Sequence, residues 1–303
     1  MKLTFVEYFE KWVNLYKVGA VRDVTLKKYM LTLSWLKKLA GDLQLCELNR
    51  IVYQEIINKY SENHEKQTVH DFHHHLKAVI LDAIDDGLVE KDPTRKVVIK
   101  GKQPRKKKIK FLNQFELQKL ISDLNLNDKP NYDWLILLIA KTGMRCSEAV
   151  ALTPNDFDFN RQYITVNKTW NYKDGGGFVP TKNKSSVRNI QIDWQIIGQF
   201  SNVIKGLQKD EPIFVSKDKP FYDATLNNIL GRHCRRQGIP EISIHGLRHT
   251  HASILLASGV SIASVSRRLG HSDIATTQKV YLHIIQELDD KDTNTIMRTM
   301  ATL

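Results

Sequence analysis

Apolar residues recur at helical spacing from the start of the chain: Phe5, Phe9, Trp12, Val13 and Tyr16, then Leu26, Tyr29, Met30, Leu33 and Leu36. Two amphipathic helices are therefore expected within residues 3–39, with Asp23 or Thr25 as the cap of the second and Gly41 as its stop. A third helix is expected from about Arg50 to Tyr60 behind Asn49, and a fourth from about Glu65 to Asp86, closed by Gly87 and Asp92-Pro93. Aromatic residues at this spacing serve as core, so residues 1–98 read as an all-helical domain.

The pattern changes at Lys100-Gly101-Lys102-Gln103-Pro104-Arg105-Lys106-Lys107-Lys108-Ile109-Lys110. Like charges this dense repel, and Gly and Pro break regular structure, so residues 99–110 read as a linker. Periodicity resumes at Phe111. Asn113 and Glu116 have the spacing of a capping box, and Tyr132 to Lys141 is apolar enough for a buried helix that leads into Thr142-Gly143-Met144-Arg145. Ser147 to Leu152 predicts a short helix. Tyr163–Val166 and Val187–Ile192 predict strands, separated by Asp174-Gly175-Gly176-Gly177 and a basic loop. Helices are expected from about Trp194, Asp223, His245 and Ser261, with Gly259 and Gly270 as stops. The fold class is mainly α with a small β-sheet (α+β): an all-helical domain, then a mixed α/β domain over 111–283 and a tail over 284–303.

Composition narrows the partners. The chain has 303 residues, 42% hydrophobic and 26% charged, which is enough for two domains with real cores. Its longest apolar run, Trp134 to Ala140, is far short of the ~20 residues that span a bilayer, and no secretory signal opens the chain. Cys46, Cys146 and Cys234 are widely spaced, which argues against a disulfide framework and suits a reducing cytoplasm. The formal net charge of +12 points to a polyanion. The linker cations Lys102, Arg105, Lys106, Lys107, Lys108 and Lys110 are the candidate DNA contacts.

Four histidines, His70, His73, His74 and His75, crowd the fourth helix. Adjacent positions on a helix point apart, and no carboxylate or cysteine completes a zinc spacing, so no metal is assigned and they read as partly exposed. The triple glycine has no Gly-Lys-Ser/Thr after it and is not a P-loop.

The chemistry concentrates in Ser243 to His283. His245 and Arg248 form an H-x-x-R pattern, Leu269-Gly270-His271 adds an imidazole, and Tyr281 follows ten residues later. Upstream stand Arg145 and, after Pro180-Thr181, Lys182. A phosphodiester under attack gains charge, and arginines donate to it in a planar, permanently charged fork. In this order the residues resemble the tyrosine recombinase (phage integrase) family, well over Phe111 to about His283 and more loosely before it.

That resemblance implies the catalytic set Arg145, Lys182, His245, Arg248, His271 and Tyr281, with Glu148 supporting it. Tyr281 would attack phosphorus to give a 3′-phosphotyrosyl link, with His245 as candidate base and Lys182 protonating the leaving 5′ oxygen; Lys184 is the alternative lysine. No metal and no cofactor are then required. The resemblance further implies a core-type DNA-binding role for the helical domain, a C-shaped clamp on duplex DNA, a homo-tetramer exchanging strands through a four-way junction, and a tail docking on a neighbouring protomer. Accessory bending or directionality proteins and a cytoplasmic, nucleoid-associated location fit the same picture. His249 and His251 match no catalytic position and are given structural roles.

The phrases T-G-M-R and P-T-K-N-K-S-S resemble mobile-element integrases more than chromosome-dimer resolvases. Many of those integrases carry an extra small N-terminal domain that binds arm-type sites, whereas this chain opens on the helical domain, as a recombinase of Xer-like size or a trimmed integrase would. Two further readings remain: an Xer-like resolvase, and a non-cleaving DNA-binding protein of the same fold. A hydrolase built on Ser185-Ser186 lacks a G-x-S-x-G elbow, and a type IB topoisomerase would share the catalytic set but not the L-G-H-S-D-I-A-T-T phrase.

Overall fold

The computed structural model describes residues 3–103, 111–172, 175–216, 220–281 and 300. Of the candidate linker contacts, Arg105, Lys106, Lys107, Lys108 and Lys110 lie outside these residues, as does the tail over 284–303 apart from Met300. The chain divides into two compact units, Met1–Lys107 and Lys108–Leu303.

Among its described residues the first unit holds four α-helices, α1 (Phe5–Tyr16), α2 (Asp23–Ala40), α3 (Arg50–Ser61) and α4 (Lys66–Asp85). Thr4 and Glu7 form a capping box that starts α1, and Asn49 accepts from Ile51 and Val52 to start α3. At α2 the expected caps are displaced: Asp23 is the first helical residue and Arg22 the cap, with no side-chain bond. The apolar stripes meet in a core of Phe5, Phe9, Trp12, Leu36, Tyr53, Ile57, Leu76 and Ile80. Polar edges of its aromatics are matched, Tyr8 Oη donating to Asp86 at 2.8 Å and Trp12 Nε1 to Asp82.

The histidines of α4 divide by face, which corrects the uniform expectation of partial exposure. His73 is 6% exposed and its Nδ1 meets Tyr53 Oη at 2.7 Å. His75 is half-buried, meets Thr32 Oγ1 at 2.8 Å and packs on Tyr29. His70 and His74, one helical turn apart, are exposed and stack edge to face. After α4 the chain stays on this unit: Gln54 pairs with both backbone groups of Val98 at 2.9 Å, and Lys102 N donates to His64 O, leaving the Lys102 side chain in solvent.

The second unit has seven helices among the described residues: α5 (Gln114–Ser122), α6 (Tyr132–Thr142), α7 (Cys146–Val150), α8 (Trp194–Val203), α9 (Asp223–Arg236), α10 (Ile244–Ala257) and α11 (Ile262–Leu269). Strands β1 (Phe157–Asp158), β2 (Tyr163–Val166) and β5 (Arg188–Gln191) form an antiparallel sheet in the order β1-β2-β5. Strands β3 (Lys168–Trp170) and β4 (Phe178–Pro180) form a separate hairpin around the glycine-rich turn. Only β2 and β5 were expected; two- and three-residue strands are too short to show alternation.

Helix α6 is apolar on every side and buried from Trp134 to Ala140, at the centre of the main core. It packs against α10 and stops at Gly143, whose φ of +68° suits glycine. A Cβ there would lie 2.6 Å from the His251 ring, so the position also permits the close approach of α6 to α10. Among the described residues no helix is long and apolar enough to cross a membrane.

Candidate active site

The site is built on the end of α11. A helix leaves its last carbonyls without intrahelical partners, and they carry the negative end of its dipole. Gly270, at φ +70°, turns the chain out of the helix. The three carbonyls that end here each accept from a different arginine of the unit: Arg268 O from Arg188 Nε at 2.7 Å, Leu269 O from Arg248 Nη2 at 2.7 Å and Gly270 O from Arg145 Nη2 at 3.2 Å. A Cβ on Gly270 would stand 2.9 Å from Arg188 Nη1, so a side chain at this turn would push that arginine aside.

Each arginine is also tied to its own surroundings. Arg145 follows the α6 stop and caps α7, its N–H donating to Glu148 Oε2 and its Nη1 to Glu148 Oε1 at 2.7 Å. Arg248 is 3% exposed on α10, and its Nη1 reaches Gly143 O at 2.8 Å. Arg188 Nη2 reaches Glu148 Oε2 at 2.9 Å. Glu148, 1% exposed, thus sits between two guanidiniums. Burial alone would raise its pKa, but Arg188 and Arg145 outweigh it and hold the carboxyl below its ordinary value. Burial, and then Arg145, lower the pKa of Arg248 to about 9, which leaves it charged at neutral pH.

The imidazoles stand around this cluster. His271 Nδ1 meets Thr277 Oγ1 at 2.8 Å, and burial followed by Arg248, Arg145 and Arg188 lowers its pKa to about 4. His245 is exposed on the first turn of α10, its pKa lowered by burial and then by Arg248 and Arg145. Both rings are neutral at pH 7 and present a single N–H donor each. Tyr281 is 2% exposed and packs with Ala252, Leu256, Val265 and Leu269. Burial raises its pKa to about 12, against a lowering pull from Arg248.

Five of the six sequence-assigned residues therefore gather: Arg145, Arg248, His245, His271 and Tyr281. Lys182 stands apart, exposed in the loop after β4, and Lys184 is equally exposed where that loop turns. Among the described residues neither lysine is bonded to the cluster. The structure adds Arg188, whose signal was legible: Arg188, Ile190 and Ile192 alternate onto one face, and an arginine on the inward face of a strand needs a buried partner. It also adds His249, whose Nδ1 lies 2.8 Å from Tyr281 Oη. His251 keeps a structural role. Its Nδ1 meets Ala140 O and its Nε2 accepts from Arg268 Nε, which fixes a neutral tautomer. Among the described residues no three His, Cys, Asp or Glu side chains converge as a metal site.

The phage integrase family model matches residues 110–287, more than half of the chain. The protein belongs to the phage integrase family. It is a tyrosine-type site-specific recombinase by that membership. A Staphylococcus phage integrase is 27% identical to it, over 95% of this chain and 90% of its own length. The ICEBs1 integrase of Bacillus subtilis (strain 168) is also 27% identical, over 71% of this chain and 62% of its own length. Among solved structures, the Tn1549 transposon integrase in complex with a circular intermediate DNA matches 91% of this chain and 94% of its own at a TM-score of 0.77 and 20% identity, a likeness of fold. Lambda integrase, solved as a dimer bound to a core site, matches 91% of this chain and 77% of its own at a TM-score of 0.67 and 15% identity.

Proposed function

We propose that this recombinase cuts and rejoins duplex DNA through a 3′-phosphotyrosyl link at Tyr281, and so integrates or excises a mobile element. The observation that carries the reading is the convergence of Arg145, Arg248, His245 and His271 beside Tyr281 at one helix terminus. Arg145 and Arg248 hold the non-bridging oxygens of the scissile phosphate, with His245 and His271 as neutral donors. Tyr281 Oη bonds to phosphorus as the O5′ bond breaks, and Lys182 gives the leaving oxygen its proton once its exposed loop meets DNA. Glu148 positions Arg145 and Arg188. The phosphotyrosyl link conserves the bond energy, so a hydroxyl from another strand can reverse the step.

The first unit serves as the core-type DNA-binding domain, Lys102 and the linker cations lie along phosphates, and a homo-tetramer carries out the exchange. The integrase names among the relatives favour a mobile element over an Xer-like role. Binding of this kind weakens steeply with salt.

A covalent trap tests the reading. The protein and Tyr281→Phe are incubated with nicked duplexes from candidate element ends, without metal or ATP. A denaturation-resistant adduct with the parent alone is the expected result. An adduct with both moves the nucleophile elsewhere, and none with either, despite tight specific binding, favours a non-cleaving DNA-binding protein.

A further inference from the structure

Attack by Tyr281 requires its phenol to lose a proton, and burial makes that harder by raising its pKa. The base must lie within hydrogen-bond reach of Oη. The exposed His245 has no bond to Tyr281 among the described residues; its ring centre is 4.8 Å from that of His249, one helical turn further along α10. His249 does reach it, with Nδ1 2.8 Å from Oη and ring centres 5.8 Å apart.

From this contact we infer that His249 is a catalytic residue, the group that orients the Tyr281 phenol and takes its proton as the bond to phosphorus forms. The inference rests on the proposed attack by Tyr281. In the step, the Oη–H bond breaks and the proton passes to Nδ1, while an Oη lone pair forms the bond to phosphorus. The P–O5′ bond breaks, and its electron pair leaves on O5′, which takes a proton from Lys182. Nδ1 must enter as an acceptor, so Nε2 carries the ring hydrogen of the neutral tautomer. The charged and titratable groups that face this pair are His245, one turn back on α10, Arg248 beside it on the same helix, and His271 beyond the end of α11. The cationic Arg248 pulls the Tyr281 phenol towards its oxyanion.

Two variants separate proton transfer from positioning. His249→Asn places an amide oxygen near the position of Nδ1, which can accept the phenol hydrogen bond but cannot hold a proton, and His249→Ala removes both functions. Single-turnover adduct formation is followed from pH 5 to 9 on a nicked duplex and on its 5′-bridging phosphorothiolate analogue, whose leaving group needs no acid. Both variants are expected to slow by about 100-fold on both substrates and to lose the acid limb of the parent's pH profile, with DNA affinity retained. Lys182→Ala, by contrast, recovers on the phosphorothiolate. A parental rate and pH profile in His249→Asn overturns the proton role of His249. If the parent itself forms no adduct that depends on Tyr281, the functional reading fails instead.

Discussion

Two helices of this protein carry clustered histidines, and their surroundings give them opposite work. On α4, His73 and His75 turn into the first unit's core and meet hydroxyls, Tyr53 and Thr32, and the cations that act on them are lysines, Lys77 and Lys28. On α10, His245, His249 and His251 share a helix with Arg248, and the end of α11 brings Arg145, Arg188 and Arg268 alongside. Burial depresses imidazole pKa on both helices. On α10 guanidiniums add to it, Arg248 and Arg145 at the exposed His245 and Arg268 at the buried His251, so that His245 stands as a neutral donor in a strongly positive field, a combination suited to an anion. A histidine-rich helix is therefore a core device or, on the proposed reading of α10, a reactive one, according to the charges that other elements deliver to it.

The largest expected effect tests that division. Arg248→Ala removes the proposed phosphate donor and strands Gly143 O and Leu269 O, and should slow single-turnover cleavage by about 1000-fold. A variant that cleaves within tenfold of the parent would make α10 a second structural helix, as α4 is. Next comes Glu148→Gln. Uncoupling a buried carboxylate from two guanidiniums should cost about 3 kcal/mol in a denaturant titration at pH 7. The pH dependence sharpens the point. The pKa of Glu148 is depressed in the fold, so its contribution is full above the ordinary value of about 4.3 and is lost as pH falls through the lower native value. Glu148→Gln should flatten that acid limb.

On the other helix the effects should be confined to stability. Tyr53→Phe leaves His73 without its hydroxyl and should destabilise the first unit by about 1–2 kcal/mol, while the cleavage rate of bound DNA is unchanged. Burial, and then His74 and Lys77, lower the pKa of His73 to about 4. The unfolded chain takes up a proton near pH 6.5 that the native state refuses, so stability should fall between about pH 6.5 and 4. The smallest effect belongs to the exposed pair: His74→Ala should change stability by less than about 0.5 kcal/mol, read by the same titration.

The helices were largely legible because their stripes and stops are local: Asn49, Asn113, Gly143 and Gly270 act where the sequence places them. The cap of α2 was misplaced because Asp23 is equally at home in the first helical turn. The order of arginines, histidines and tyrosine pointed to the site, but nothing local tells which imidazole reaches Tyr281. His245 and His249 lie one turn apart on the same helix, and the pairing depends on where the segment after Gly270 returns. Lys182 illustrates the converse: its place in an ordered motif is legible, yet its side chain is exposed, and it is Ser186, four residues on in the same loop, that packs on Arg145 and Arg188.

The three arginines are fastened to carbonyl oxygens of residues 268, 269 and 270, so their template is the main chain rather than any side chain of α11. Substitution cannot remove a carbonyl. The outward positions of that helix are therefore free to diverge under selection for new partners or new DNA sequences, provided that it still ends at Gly270. Such a site can be inherited across relatives that share little else in sequence.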